Sequence, residues 1–516
     1  MITIGVEELK KPIDAGDLAR GMKLNADVVV IGSGPGGMVA AERLARAGLR
    51  VLLVEEGPYY RTQDLKMLES QAYPQFYQDS AARRTQDKGI KILQGRVLGG
   101  SSTVNWATCF RPPQSVLDHW AKEFGVSLEG LTPVLEQMEQ RLEVREWETT
   151  PNRNNQVLEV GCTKLGYHWG KIKRNVGPCL NLGYCGLGCP VGAKKDARQA
   201  FLADFAAAGG GLLYNARAQE FTLQGDRLTG VTCIHPKNPG LAGEAIEVEA
   251  KTFILAAGAI NGPGLQMRSN LPDPYRTLGK RTFLHPVNIS GGLFKEPIRA
   301  FEGAPQTRYS DQFLANRPIG FKLEVPPVHP VLTASSLPGL GQGHRALMKR
   351  FDQIQVLLAL HHDGMSDAAP GGRVVLDSAL QPVLDYPITP QLWSSFWKAY
   401  EVMAEIQFAA GAEAVLPLHE QAGVYRGLQA LKAALPGLDR EIFKTKLASA
   451  HVMGGAGMSK DPAQGVVDGN GKHHQLDNLY VFDGSILPTS LGVNPQLTLF
   501  GLSALLSERL LAKLKG

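Results

Sequence analysis

The chain has 516 residues, 44% of them hydrophobic and 20% charged, an ordinary soluble globular balance with room for two or three domains. Its net charge of +5 is mild and spread along the chain, which leaves no nucleic-acid footprint. No apolar run reaches the roughly 18 residues of a membrane helix, and six cysteines are too few for a disulfide scaffold at this length.

Residues 1–23 carry Glu7, Glu8, Asp14 and Asp17 and lack an apolar core, so no secretory signal is read. The default compartment is the cytoplasm, although periplasmic export alongside a signal-bearing partner would leave no trace here. An apolar strand, Val28 to Ile31, then runs into Gly32, Gly34 and Gly37 in the order GxGxxG. Helical spacing follows, ended by Gly48, and a second apolar strand from Val51 to Val54 delivers Glu55. The first glycine makes the tight turn, the second admits a pyrophosphate, and the third lets helix pack on strand. The helix N-terminus offers unpaired N–H groups to the phosphates, and Glu55 can accept ribose hydroxyls. This stretch predicts a site for an adenosine diphosphate moiety.

Residues 58–94 are polar and read as a surface excursion. In QGRVLGGSSTVN, Gly99, Gly100, Ser101 and Ser102 form a flexible turn rich in backbone donors, suited to a phosphate or a flavin edge. Residues 114–150 are expected to be helical, with Leu131, Val134, Leu135, Met138 and Leu142 as core. From 197 a helix ends at Gly209 to Gly211 and leads into a strand, LLYNARAQEF, that carries Ala216 to a cofactor edge. Residues 228–235 and 245–257 alternate like paired strands. The second closes at Gly258 in a strand, glycine turn and helix. Between 286 and 440 proline increases, strand-like runs such as QIQVLLALHH appear, and a helix is expected at 390–410. The last 75 residues return to glycine turns and apolar strands.

Together these stretches resemble the glucose–methanol–choline (GMC) family of FAD-dependent oxidoreductases. The resemblance rests on the N-terminal fingerprint, GRVLGGSSTVN, GAINGPGLQMRSN without the usual Ser-Pro pair, and LGKRTFLHP, where Arg281 to Leu284 depart from Asn-Leu-x-Asp. HVMGGAGMSKDPAQGVVD and NLYVFDGSILPTSLGVNPQLT complete it. It implies an α/β fold: a Rossmann-like FAD-binding domain from discontinuous segments (24–120, 197–285 and 441–516), a cap and cysteine segment (121–196), and an α+β substrate domain with an antiparallel sheet (286–440). It also implies oxidation of an alcohol, with hydride passing to the flavin. His451 matches the family's catalytic histidine, and imidazole suits a base near neutral pH. Asn494 matches the second position; an amide can hold the substrate oxygen but cannot titrate, which makes His451 the sole base. Gly100, Ser101 and Asn105 are expected against the flavin, Asp483 and Gly484 near its pyrophosphate or ribityl chain, and Asn494 and Pro495 near the ring. No histidine in GGSSTVN is placed for a covalent link, so FAD should be noncovalent. His285, His361 and His362 read as structural, and His473 and His474 as solvated.

Cys179, Cys185 and Cys189 form C-x5-C-x3-C in a glycine-rich loop with a trailing Cys-Pro. Such a loop suits a small iron–sulfur cluster, and its spacing resembles that of a [3Fe–4S] site in sugar dehydrogenases of this family. Zinc fits less well, since a closed site wants four ligands; three plain thiols, or a disulfide and one left over, are the alternative. Cys109, Cys162 and Cys233 read as core. The choice bears on the acceptor: oxygen, a quinone or a redox protein. The substrate expected is a bulky apolar alcohol, with a sugar or polyol as the alternative. A noncatalytic electron-transfer subunit is a third reading. An NAD(P)-linked reductase would need a second GxGxxG, which AAGAINGPG does not supply.

Overall fold

A computed structural model of the chain describes residues 2–9, 11–18, 22–236 and 245–515. Strand Met22–Ile31, which ends in the apolar run from Val28 to Ile31, is the central strand of a nine-stranded sheet among these residues. It pairs in parallel with Val51–Val54 on one side and Ile246–Leu255 on the other. All four residues of Val51–Val54 are buried, as expected for a parallel strand covered on both faces. Leu479–Val481 adds to Ile246–Leu255 in parallel, so one sheet joins the two ends of the chain. Helices Pro35–Arg46 and Gln496–Lys515 pack together on this sheet, and the Ser503 hydroxyl donates to the Gly36 carbonyl at 2.6 Å.

A second, eight-stranded sheet is centred on Val287–Leu293 and Ile354–His361, which pair antiparallel. Its two faces differ because side chains alternate along a strand. Leu357, Ala359, Phe321 and Leu323 form one core with Phe396, Tyr400 and Met403 of helix Pro390–Ala409. The opposite face carries Val287, Ile289, Gly291 and Leu293 toward a cavity. Two small sheets complete the frame: Lys280–Phe283 and Met453–Gly454 with Gly372–Leu376 and Pro382–Asp385, and Lys173–Asn175 with Thr108–Cys109 and Val144–Glu146.

Three local expectations are corrected. Residues 58–94 are not a mere surface excursion: Ile90–Ile92 pairs with Leu447–Ser449 in the eight-stranded sheet, and Phe76 is buried. The stretch 114–150 is two helices, Gln114–Phe124 and Leu131–Arg141, because Gly125 and Gly130 both take left-handed φ. The strand expected in LLYNARAQEF breaks at Asn215, whose φ is +52°, into Gly211–Tyr214 and Arg217–Gln224. Paired strands Arg227–Ile234 and Ile246–Leu255 and the helix Pro390–Ala409 stand where the pattern placed them.

Candidate active site

The phosphate-binding turn is set by close backbone approach. A Cβ on Gly32 would stand 2.2 Å from the Ala256 carbonyl oxygen, one on Gly36 1.6 Å from that of Phe482, and one on Gly37 1.8 Å from that of Gly32. At Gly34 such a Cβ would meet nothing within 4 Å. Its backbone therefore borders open space at the start of helix Pro35–Arg46, where unpaired N–H groups would meet a pyrophosphate. Glu55 is buried with its orientation fixed by protein donors. Its Oε2 accepts from the Ser33 N–H at 3.0 Å and the Ser33 hydroxyl at 2.5 Å, and its Oε1 from the Gly57 N–H at 2.7 Å. Burial raises the Glu55 pKa, opposed by these bonds. The Ser33 hydroxyl also accepts from the Gly99 N–H at 2.9 Å, which ties the fingerprint to the second glycine turn. Neither Ser33 nor Gly36 is specified by GxGxxG, so the motif alone did not single them out.

One cavity is lined by Gly32, Gly34, Glu55, Gly100, Ser101, Asn105, Ala216, Gly258, His451, Asp483, Gly484, Asn494 and Pro495. Gly37 stands behind it. Gly100 has φ +55° and lies so near Gly34 that a Cβ would come within 2.8 Å of the Gly34 Cα. The Asp483 carboxylate accepts from the Gly258 and Ser485 N–H groups at 2.7 and 2.8 Å, and burial raises its pKa. Asn105 donates to the Gln496 side chain at 2.7 Å. A glycine cradle on a helix N-terminus, a buried acid at the end of the second strand and a second donor-rich turn suit the diphosphate, ribose and ring of FAD.

At the other end of this cavity His451 Nε2 lies 3.3 Å from the Asn494 side-chain amide nitrogen. Burial and the nearby Lys322 ammonium lower the His451 pKa to about 4, so its ring is neutral at pH 7. The Asn494 nitrogen also donates to the buried Glu324 carboxylate at 3.2 Å, which accepts from Gln306 at 2.5 Å. Burial raises the Glu324 pKa and lowers that of Lys322, whose ammonium lies 4.0 Å from it and 3.0 Å from the centre of the Phe110 ring. His285 is no remote structural residue. Its Nδ1 stands 3.3 Å from His451 Nδ1, and its Nε2 accepts from the Gly492 N–H at 2.8 Å. The two histidines are 166 residues apart, and only the fold brings them together.

From this polar end an apolar trough runs along the eight-stranded sheet. Val287, Ile289, Gly291 and Leu293 line it from one strand and Leu360, Leu358, Val356 and Ile354 from its partner. Leu416 and Leu418 flank them, and Leu332 and Leu337 line it from the segment around helix Pro330–Ser336. Six residue steps at about 3.4 Å make the wall roughly 20 Å long.

Cys179, Cys185 and Cys189 share one loop, fastened beneath the second glycine turn by buried Lys194, which donates to the carbonyls of Thr103, Asn105 and Cys185 at 2.7, 3.0 and 2.9 Å. Cys185 accepts from Arg174 at 3.6 Å. Among the described residues, however, no three His, Cys, Asp or Glu side chains are arranged to hold a metal ion. The cluster expected from the cysteine spacing thus finds no support in the placement of these side chains. His361 is buried between Ser395 and Asn288, and His362 faces the Ser490 carbonyl. The expectation of a solvated His473 is overturned. The loop folds back so that the His473 N–H donates to Leu479, leaving the ring 3% exposed with its pKa lowered to about 4 by burial. His474 is partly buried against the Ser459 carbonyl.

Comparison with known proteins agrees with this geometry. The N-terminal GMC oxidoreductase profile matches residues 73–287, the C-terminal one residues 369–503, and an FAD-binding domain profile residues 27–65. A long-chain-alcohol oxidase of Arabidopsis thaliana, FAO4A, is 30% identical over 510 residues, covering 92% of this chain and 67% of the relative. An uncharacterized GMC-type oxidoreductase of Mycobacterium tuberculosis is also 30% identical, over 95% of this chain and 76% of its own. Among solved structures, pyridoxine 4-oxidase from Mesorbium loti superposes with a TM-score of 0.70 at 18% identity, over 94% of this chain and 99% of that one. Motifs, fold and relatives converge: the chain belongs to the GMC oxidoreductase family of FAD-binding flavoproteins.

Proposed function

We propose that the protein oxidises a long, apolar alcohol to its carbonyl product. The observation that carries this reading is the trough, about 20 Å of apolar wall ending at His451 and Asn494. A hydrocarbon chain gains from leaving water for such a wall, by about 0.8 kcal/mol per buried methylene, while a sugar would lose its hydrogen bonds there. The long-chain-alcohol oxidase relatives support the same substrate class. FAD, when bound, supplies the acceptor for the hydride. The chain's own residues then have three tasks. The glycine turns and Glu55 hold the dinucleotide, the trough positions the alkyl chain, and His451 and Asn494 bracket the substrate oxygen, with His451 handling the hydroxyl proton. Oxygen, a quinone or a redox protein completes the cycle.

The test is anaerobic flavin reduction by primary alcohols of increasing chain length. Efficiency should climb by about fourfold per methylene, the exponential of the burial energy, until the trough is full. Reduction by sugars but not by alcohols would overturn the reading. Reoxidation in air with one hydrogen peroxide per alcohol would identify an oxidase; slow reoxidation would point to a quinone or protein acceptor.

A further inference from the structure

The proton on a neutral imidazole can sit on either nitrogen, and the partners decide which. Four groups form a line here: the Gly492 N–H, His285, His451 and the Asn494 amide. Two proton orders are conceivable. In the first, His285 accepts at Nε2 from Gly492 and donates from Nδ1 to His451 Nδ1, so that His451 carries its own proton on Nε2. In the second, His451 donates from Nδ1 to His285 Nδ1, and His285 then carries its proton on Nε2, facing the Gly492 N–H at 2.8 Å.

The second order sets two donors against each other at a backbone group that cannot reverse. The first sets two donors against each other only at Asn494, whose nitrogen lies 3.3 Å from His451 Nε2. That conflict disappears when the amide turns over, because the oxygen and nitrogen of an Asn side chain exchange places on a half-turn. The Asn494 oxygen has no hydrogen-bond partner in its present orientation. Turned, it would accept from His451 Nε2 and from a protonated Glu324, a protonation state that Glu324's burial favours.

We propose that His285 is a positioning residue that fixes His451 in the tautomer with its proton on Nε2, facing the cavity. The backbone of His285 is built to hold it there. Its φ of +45° lies in the left-handed region, uncommon for a side-chain-bearing residue. The buried Asp363 carboxylate clamps that turn, accepting from the Leu284 and His285 N–H groups at 2.9 and 3.2 Å and from the Tyr386 hydroxyl at 2.7 Å. Resting on the alcohol-oxidation reading, the inference gives the resting enzyme a donor, not an acceptor, opposite the substrate oxygen. Freeing Nε2 to accept the hydroxyl proton takes three balanced moves: the His451 Nε2 proton leaves to water in the cavity, the His285 Nδ1 proton crosses to His451 Nδ1, and His285 Nε2, turned away from Gly492, takes a proton from water. His285 therefore sets how readily the base becomes competent.

The experiment is nitrogen-15 NMR of the histidine-labelled, FAD-loaded oxidised protein without substrate, with His451 assigned by loss of its signals in His451→Gln. Because no turnover is involved, the result stands whatever the substrate proves to be. In the wild type, Nδ1 of His451 should be pyridine-like and Nε2 pyrrole-like; the reverse would overturn the proposal. In His285→Gln, whose amide can still accept from Gly492 and donate to His451, the pattern should persist, and its reversal would overturn the lock. In His285→Leu the Nε2–H preference should collapse toward a mixture of tautomers, and an unchanged pattern would show that His285 is not its cause. Should His285→Leu fail to fold, the wild type and His285→Gln decide.

Discussion

At His451 the surroundings determine charge before chemistry begins. Its pKa of about 4, set by burial and by Lys322, lies below that of free imidazole, so acid rather than neutral pH removes the neutral ring. Flavin reduction by an alcohol should therefore fall as pH drops below about 5, and an acid limb centred near 6.5 in stopped-flow rates would mean that the ring is solvated. His451→Gln keeps most of the volume but cannot exchange a proton. It should slow reduction by at least about 100-fold, close to 2.7 kcal/mol of barrier, while the absorption spectrum still shows bound flavin. Gly36→Ala tests the cradle instead. Its Cβ would fall 1.6 Å from the Phe482 carbonyl oxygen, which belongs to the C-terminal motif, so the variant should lose FAD and unfold several degrees lower in a thermal melt. His451 and Asn494 could be singled out because their neighbours in sequence carry the family pattern. His285 could not: LGKRTFLHP shows a histidine before a proline, and nothing in that string says that a ring 166 residues further on will meet it.

Elements were legible to the extent that their periodicity was local. Val28 to Ile31 and Val51 to Val54 announced themselves as buried strands, and Leu131, Val134, Leu135 and Met138 as a helix face. Pairing between segments distant in sequence was not legible. Ile90–Ile92 sits in a polar stretch and becomes a strand only because Leu447–Ser449 comes alongside it, and Cys179, Cys185 and Cys189 have cluster-like spacing without a cluster-like arrangement. Strand Val287–Leu293 shows what an element does with alternation: Asn288 and Ser290 bond to the helix behind, while Val287, Ile289, Gly291 and Leu293 face the trough. Gly291 is its one gap. A Cβ there meets only ordinary contacts, 3.6 Å and beyond, so Gly291→Leu should fold and place a plug midway along the wall. Efficiency with the longest alcohols should drop at least about tenfold, the worth of a lost two or three methylenes, with short alcohols unaffected. Equal losses at every chain length in a steady-state series would show that the trough does not hold the substrate chain.

For the whole molecule, composition is the simplest check on the site. The purified protein should carry one FAD per chain, released on acid precipitation, without stoichiometric iron or acid-labile sulfide. Three irons per chain would show that the cysteine loop rearranges on loading into a ligand set that it does not display here. The largest consequence comes from the sheet that unites Met22–Ile31 with Leu479–Val481 and packs Pro35–Arg46 against Gln496–Lys515. A ribosome makes the dinucleotide fingerprint long before the strand and helix that close it, because the cap segment and the whole second sheet lie between them in sequence. All of that intervening chain must emerge before the nucleotide pocket can exist. In the interval the early half waits with an incomplete sheet, exposed to proteases and to its neighbours. Flavin can hold the sheet closed only once that strand and helix have docked, so its supply at that moment should govern how much of the protein survives, and vitamin-starved cells should show the shortage as missing protein rather than as inactive protein.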